Sequence, residues 1–340
     1  MHKQSVFPRW RGFNLLGMFC SDTSEYRDFR SPGYYTEEDF KMISDWGFDF
    51  VRLPLSYRLW SDVYDPYRID EEKIAPLDDA IYFADKYGLH VNVAMHRLPG
   101  YCVNQDERIE ERGNLWTDCD MLDASSYQWT QIAKRYKDVG NGLSFNVINE
   151  PDRKITPLQY RAVSERIITD VRKISPRRLF ILDGICYGDI PPVDAMRYFE
   201  NCGYSCRGYE PRRLTHYFGG ENEEIPKWPD MRRFDNNGDL TLRDRKDLER
   251  FFGMWASLSE HLNVGVHCGE MAVYHKCPHK TAMAWLEDTL DVLKAYNIGW
   301  AFWNLRGKFG IMDNGRDDIE MTDYHGHKLD LQMLKLLQKY

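Results

Sequence analysis

Hydrophobic residues in this chain form short continuous runs, separated by longer stretches with apolar residues every three or four positions. The alternation repeats about eight times along the sequence. A continuous apolar run is typical of a parallel strand buried on both faces, because helices cover both sides of such a sheet. The predicted strands are residues 12–16, 48–55, 89–95, 143–149, 178–183, 213–217, 264–269 and 299–304.

The stretches between these runs predict helices. The first opens at Thr36 with Asp39 three residues later, which is a capping-box pattern, and Gly47 closes it. The other predicted helices are residues 71–86, 125–136, 157–174, 242–262, 281–296 and 329–337, with a shorter, less regular helix within 191–209.

Strictly alternating strands and helices predict a parallel sheet. Eight such units favour a closed (β/α)8 TIM barrel, and the absence of a composition break favours a single domain over residues 1–340. No Gly-x-Gly-x-x-Gly string follows the first predicted strand, so a dinucleotide-binding fold has no support. The longest irregular segments, 18–35, 97–123 and 219–239, follow strands one, three and six, where a barrel builds its substrate groove.

Charge and hydropathy restrict the class of partner. The net charge is -8, which argues against nucleic acid or an anionic membrane, since both require a basic face. No stretch has the apolar length of a membrane span, and residues 1–8 lack the apolar core of a signal peptide. We therefore expect a cytoplasmic protein, or a secreted or periplasmic one if a signal peptide has been removed. The sequence does not indicate an oligomeric state.

The cysteines do not form the framework of the fold. Eight cysteines in 340 residues are too few for a disulfide scaffold. Cys268, like Cys186, lies in or just after an apolar run and is expected to be a packed thiol. Two pairings are left open, Cys102 with Cys119 and Cys202 with Cys206.

Two carboxylates follow apolar runs directly. Glu150 stands in Asn149-Glu150-Pro151 after the fourth predicted strand, and Glu270 follows Gly269 at the end of the seventh. Strands four and seven lie on roughly opposite sides of an eight-stranded barrel, so the two side chains should face each other across its mouth. Paired carboxylates are the minimum equipment for cleaving a glycosidic bond, and a separation of about 5–5.5 Å would indicate retention of anomeric configuration.

With these strings in place, the chain resembles glycoside hydrolase family 5, the cellulase-like family of retaining β-glycosidases built on (β/α)8 barrels. The resemblance covers nearly the whole chain, and each string ends a successive predicted strand. The other strings are Val51-Arg52-Leu53-Pro54, His96-Arg97-Leu98-Pro99-Gly100, His216-Tyr217 and Ala301-Phe302-Trp303-Asn304.

The resemblance implies a role for each of these residues. Glu150 would be the general acid/base and Glu270 the nucleophile. Arg52 would keep Glu270 ionised, because an adjacent cation lowers the pKa of a carboxyl group. Asn149 would hydrogen-bond the 2-hydroxyl of the sugar. The remaining substrate-binding residues would be His96, His216 and Tyr217, with Trp303 as the stacking floor. No cofactor or metal is implied.

The chain departs from the family pattern at strand six. Many members carry His-x-Tyr there, with the Tyr beside the nucleophile, whereas His216 is followed two residues later by Phe218. Either Tyr217 or Tyr274 could take this role. The family often has a cis peptide after the strand-eight Trp, so we also expect one at Trp303-Asn304.

Rival functions are weaker but remain open. A metal hydrolase would use the residues around His267, His275 and His279, or the His325-Gly326-His327 string. A sugar-binding barrel without catalysis would be expected to lack a catalytic Glu, and both are present. Rim aromatics such as Trp60, Tyr101, Trp116 and Trp228 would serve binding and catalysis alike.

The catalytic strings carry no information on the substrate, because the family shares them across many glycans. We favour an endo-acting β-1,4-glucanase that acts on an oligo- or polysaccharide. The alternative is an exo-acting β-glucosidase or β-mannosidase on short glycosides, with residues 97–123 blocking one end of the groove.

Overall fold

The computed structural model describes residues 7–20, 35–103, 111–221, 223–230 and 244–340. Within these residues eight parallel strands form a closed (β/α)8 barrel, in which each strand pairs with the next and the last pairs with the first. The strands are β1 (Arg11–Asn14), β2 (Phe50–Ser56), β3 (His90–Leu98), β4 (Leu143–Asn146), β5 (Leu179–Asp183), β6 (Cys202–Gly208), β7 (Val266–Met271) and β8 (Gly299–Phe302).

Helices connect the strands. They are α1 (Glu37–Asp45), α2 (Pro76–Lys86), α3 (Cys119–Arg135), α4 (Pro157–Arg172), α5 (Val193–Tyr198), α6 (Arg245–Leu262), α7 (His279–Ala295) and α8 (Leu331–Lys339). Shorter elements are a 3-10 turn at Tyr57–Leu59, helical turns at Glu71–Ile74 and Arg212–Thr215, a strand at Tyr101–Cys102, and a hairpin of Thr322–Tyr324 with His327–Leu329. None of the described helices is long and apolar enough to cross a membrane.

Local chemistry explains where two helices begin. Thr36 accepts a hydrogen bond from the Asp39 N–H at the start of α1, as the sequence pattern predicts. At the start of α4, Thr156 and Gln159 form a complete capping box, each side chain satisfying the other's backbone N–H.

Every residue of β2 and β3 is buried, which confirms the interpretation of continuous apolar runs as strands covered on both faces. Seven of the eight predicted strands overlap an observed one. Helix α6 begins at Arg245, and residues 242–243 of its predicted range lie outside the described residues.

The prediction for strand six is wrong. The strand is Cys202–Gly208, whereas the predicted segment contains the helical turn Arg212–Thr215. The less regular helix expected within 191–209 is therefore limited to Val193–Tyr198. The true strand was missed because two glycines, Ser205 and Arg207 interrupt its apolar pattern, although all seven residues are buried.

The cysteine pairings that the sequence left open do not form. No disulfide bond joins any of the eight cysteines, all of which lie in the described residues. Cys202 and Cys206 stand four residues apart in β6, which places their Cα atoms about 13 Å from each other. A disulfide requires a Cα separation below about 7 Å, so this pair is out of reach.

Candidate active site

The two predicted catalytic carboxylates lie at the carboxyl ends of their strands. Glu270 is in β7, and Glu150 stands four residues after β4. The backbone of Glu150 has a positive φ of 47°. Its N–H donates to Asp183 Oδ2 at 2.9 Å, and its carbonyl accepts from the Tyr101 hydroxyl at 2.7 Å. These two hydrogen bonds hold the left-handed turn that presents the carboxylate.

Arg52 lies beside Glu270, where the family resemblance puts it. Its Nη1 is 2.6 Å from Glu270 Oε1, and its Nη2 donates to Asn149 Oδ1 at 2.8 Å. The guanidinium is buried and also donates to Asn146 Oδ1 at 2.9 Å. One arginine therefore contacts the Glu270 carboxylate and orients the Asn149 amide.

A second buried arginine, Arg207, was not predicted from the sequence. Its Nε donates to Glu150 Oε1 at 2.8 Å and its Nη2 donates to Asn149 Oδ1 at 2.8 Å. The same Nη2 lies 3.4 Å from Glu270 Oε1 and forms an ion pair with Asp183. Arg207 thus joins both predicted catalytic carboxylates to one guanidinium.

Tyr209 provides the hydroxyl that contacts the nucleophile candidate, donating to Glu270 Oε2 at 2.9 Å. The expectation that Tyr217 or Tyr274 would take this role is therefore wrong. The signal was present in the sequence, because Arg207-Gly208-Tyr209 has the spacing of the family's His-x-Tyr with arginine in place of histidine. This signal was missed because strand six was predicted at residues 213–217 instead of Cys202–Gly208.

The two carboxyl groups have opposite pKa shifts. Burial raises the pKa of Glu150 to about 7, and the charge on Glu270 adds to this effect while Arg207 opposes it. Burial would also raise the pKa of Glu270, but the charges on Arg207 and Arg52 outweigh it and hold that pKa well below its usual range. At neutral pH one carboxyl group can carry a proton while the other is ionised, as acid/base work by paired carboxyls requires.

His96 and Trp303 form one wall of the site. The His96 Nε2 lies 3.4 Å from Glu270 Oε1, and the His96 and Trp303 rings stack at 5.5 Å. Burial lowers the pKa of His96 to about 3, so the ring is neutral at neutral pH. The Trp303-Asn304 peptide is cis, as predicted.

His216 and Tyr217 follow the helical turn Arg212–Thr215 rather than a strand. The His216 ring lies 5.2 Å from the ring of Tyr209, which places it beside the group that contacts Glu270. Burial lowers the pKa of His216 to about 4. Tyr217 is half-buried and packs against the hydrophobic core.

The oxygen and the nitrogen of the Asn149 side-chain amide differ in their hydrogen bonding. Its Oδ1 accepts hydrogen bonds from both arginines, Arg52 and Arg207. Its Nδ2 is buried and has no hydrogen-bond partner among the described residues. The two cations therefore fix the direction of an amide donor that none of the described residues satisfies.

The four rim aromatics named from the sequence have different surroundings, and Tyr101 contacts a predicted catalytic residue directly. Trp60 is buried and donates to Gln128 Oε1 at 2.8 Å, so it serves packing. Tyr101 contacts the Glu150 carbonyl, and the Trp116 ring packs against Tyr101 at 5.3 Å. Trp228 donates to Asp288 Oδ2 at 2.8 Å.

Of the histidines considered as metal ligands, His279 is paired with a carboxylate. His279 Nε2 lies 2.9 Å from Asp330 Oδ2. In the part of the chain that the structure describes, no group of three or more His, Cys, Asp and Glu side chains could hold a metal ion.

Comparison with known proteins agrees with this geometry. The family model "Cellulase (glycosyl hydrolase family 5)" matches residues 6–309. Cellodextrinase A of Ruminococcus flavefaciens is 24% identical over 302 residues, covering 85% of this chain and 83% of that protein. Endoglucanase C of Acetivibrio thermocellus is 24% identical over 329 residues, covering 87% and 90%. A crystal structure of a glycoside hydrolase superposes with a TM-score of 0.86 at 30% identity, covering 97% of this chain and 99% of that one. This chain is a glycosyl hydrolase and belongs to the cellulases of glycosyl hydrolase family 5.

Proposed function

We propose that this enzyme cleaves β-1,4-linked glucans internally by double displacement, with Glu150 as general acid/base and Glu270 as nucleophile. The observation that carries the proposal is one buried network, in which Arg52 lies 2.6 Å from Glu270 and Arg207 contacts both Glu150 and Glu270. Burial in this network raises the pKa of Glu150 to about 7, and the charges on the two arginines lower the pKa of Glu270. In the first step Glu150 would donate its proton to the glycosidic oxygen. Glu270 would attack the anomeric carbon and form a glycosyl-enzyme.

The second step reverses these roles. Once Glu270 is esterified, its negative charge no longer raises the pKa of Glu150, which should fall. Glu150 can then accept a proton from the water that attacks the anomeric carbon, which releases Glu270. The buried Asn149 Nδ2 supports this assignment, because it offers a donor for the sugar 2-hydroxyl. Trp303 would stack on the apolar face of the same sugar, with His96 and His216 lining the subsite.

Internal cleavage of a β-1,4-glucan is favoured by the relative named endoglucanase C. A second candidate is exo action on short β-glycosides as a β-glucosidase or β-mannosidase. The relative named cellodextrinase A supports short substrates. The two differ in product length, since an endo-acting enzyme releases a range of oligosaccharides and an exo-acting enzyme releases one small sugar.

The test is hydrolysis of soluble β-glucan, mannan, xyloglucan and short aryl glycosides by wild type and by Glu270→Gln. Internal cuts in β-1,4-glucan that the substitution abolishes are the expected result. The anomeric form of the first product, read by proton NMR, tests retention. A surface variant, Glu72→Gln, makes the same chemical change at an exposed position on the helical turn Glu71–Ile74 and should leave activity unchanged.

Release of single sugars alone would move the assignment to the exo-acting candidate. Binding of glycan without turnover by wild type would overturn the proposal in favour of a sugar-binding barrel.

A further inference from the structure

Arg207 is a buried cation that contacts three carboxylates. Its side chain is 1% exposed and meets Glu150 at 2.8 Å, Glu270 at 3.4 Å and Asp183 in an ion pair. Glycines make the space for it. A Cβ at Gly188 would lie 2.6 Å from Arg207 Cγ, and a Cβ at Gly269 would lie 3.0 Å from Nη1. The surrounding segments are therefore shaped for this long side chain.

The position matters because the family's His-x-Tyr pattern, matched by spacing onto Arg207-Gly208-Tyr209, has a histidine there. A histidine can be neutral, whereas an arginine is always charged. A permanent cation beside a general acid favours the ionised form of that acid, which is the wrong form for donating a proton. An enzyme with arginine at this place needs an opposing charge nearby.

Asp183 supplies that charge. It is fully buried, ion-pairs with Arg207, and accepts the Glu150 N–H at 2.9 Å through Oδ2. Its Oδ1 accepts from Asn146 Nδ2 at 3.0 Å. The carboxylate of Asp183 therefore contacts both Arg207 and the backbone of the acid/base candidate.

The buried cluster contains one more carboxyl group than guanidinium groups. Two guanidinium groups, Arg52 and Arg207, face three carboxyl groups, Glu150, Asp183 and Glu270. Buried charges are tolerated when they are paired, so the cluster is balanced when one carboxyl group is protonated. Glu150 is the most exposed of the three, at 15% against 0% for Asp183 and 4% for Glu270. It is the group that can exchange a proton with a substrate.

Four ring groups beside the pair do not compete for that proton. Burial lowers the pKa of His96 to about 3 and that of His216 to about 4. Burial also raises the pKa of Tyr101 and of Tyr209 well above 10. Asp189 interacts with Arg207, and burial together with the charge on Glu210 raises the pKa of Asp189 to about 6. Glu150, which Arg207 contacts at 2.8 Å, has the pKa closer to neutral, at about 7.

We propose, resting on the assigned role of Glu150, that Asp183 and Arg207 act as one positioning pair that sets the protonation of the acid/base. Asp183 balances Arg207, so that Glu150 keeps its proton in the free enzyme. Arg207 stabilises the carboxylate that forms when Glu150 transfers that proton to the glycosidic oxygen. In the second step the proton comes back to Glu150 from the attacking water.

The experiment compares pH profiles of kcat/KM for Asp183→Asn, Arg207→His and the double variant. The alkaline limb of the profile is the fall in kcat/KM as pH rises, and it reports loss of the proton from Glu150. Asp183→Asn leaves the charge on Arg207 unbalanced, so this limb should move to lower pH by about 1 to 3 units. Arg207→His leaves Asp183 unbalanced, so the limb should move to higher pH. The double variant should lie between the two single variants. Loss of packing alone would not produce opposite shifts that cancel.

Asp39→Asn is the matched control, because Asp39 is a buried carboxylate paired with Arg306 away from these groups. It should leave the alkaline limb in place. Titration of the Glu150 carboxyl by carbon-13 NMR in the same proteins gives a readout that needs no turnover, so it separates failure of this inference from failure of the proposed function. Shifts in the same direction, or shifts below about half a unit in both single variants, would overturn the inference.

Discussion

The Arg52 Nη1 lies 2.6 Å from Glu270 Oε1, and the two side chains are 2% and 4% exposed. This contact is the basis for predicting Arg52→Gln. Without the adjacent cation Glu270 binds a proton more readily, so the acid limb of kcat/KM should move to higher pH by about 1 to 3 units. The free energy of unfolding should fall by about 3–5 kcal/mol, since a buried partner loses its counter-charge.

Arg250→Gln is the control for Arg52→Gln, because Arg250 is a largely exposed arginine that pairs with Asp247. It should change neither the acid limb nor the unfolding free energy by a measurable amount. An acid limb that stays in place in Arg52→Gln would show that Arg52 does not keep Glu270 ionised.

The wild-type pH profile should be bell-shaped. Catalysis requires protonated Glu150, whose pKa is about 7, so kcat/KM should fall as pH rises through about 7. Glu270 must be ionised, and its pKa lies below its ordinary value of 4.5, so activity should persist below pH 4.5 before it falls. Because the two groups interact, the apparent values describe the pair. An alkaline limb near pH 4.5 would contradict the assignment of Glu150.

Tyr209→Phe removes one hydroxyl and keeps the ring. The hydrogen bond from Tyr209 to Glu270 Oε2, at 2.9 Å, joins a neutral donor to a charged acceptor. Such bonds contribute about 1.5–3 kcal/mol, so kcat/KM should fall about 10- to 160-fold. Tyr204→Phe, in which the lost hydroxyl donates to Ala195 O instead, should retain kcat/KM. Equal activity losses in both variants would point to a general packing defect.

Glu150→Gln should affect substrates unequally. A cello-oligosaccharide needs a proton on its leaving oxygen, so its kcat/KM should fall about 10²- to 10⁴-fold. A dinitrophenyl glycoside has a leaving group that departs without protonation, so its first step should change much less. Burst kinetics with the dinitrophenyl substrate measure that step. The same loss for both substrates would rule out proton donation by Glu150.

Thr156→Ala tests a structural prediction away from the site. Thr156 caps α4 with its hydroxyl at the Gln159 N–H, and Gln159 returns a bond to the Thr156 backbone. Loss of this cap should lower the free energy of unfolding by about 1 kcal/mol, measured by urea denaturation, with activity unchanged. Thr130→Ala, in the interior of α3, should not destabilise, because alanine has the higher helix propensity. Equal effects at both positions would contradict the capping role.

Strand β6 could not be predicted from the pattern of apolar residues. A sequence pattern reports burial only when buried residues are apolar, and β6 buries Ser205 and Arg207. Arg207 can be buried because it is paired with Glu150 and Asp183, which stand 57 and 24 residues away in the chain. No local window contains that information.

The sequence by itself determined the barrel and the order of its strands and helices, except at strand six. It also placed Glu150, Glu270, His96 and Trp303 at or near strand ends, and Arg52 within the second strand. It could do so because apolar periodicity and the residues at strand ends are local properties of the chain. The tertiary structure alone decided that Arg207 joins both carboxylates. It also decided how far burial raises the pKa of Glu150, to about 7. Burial and the charges of neighbouring strands set these properties, and only the closed barrel brings those strands together.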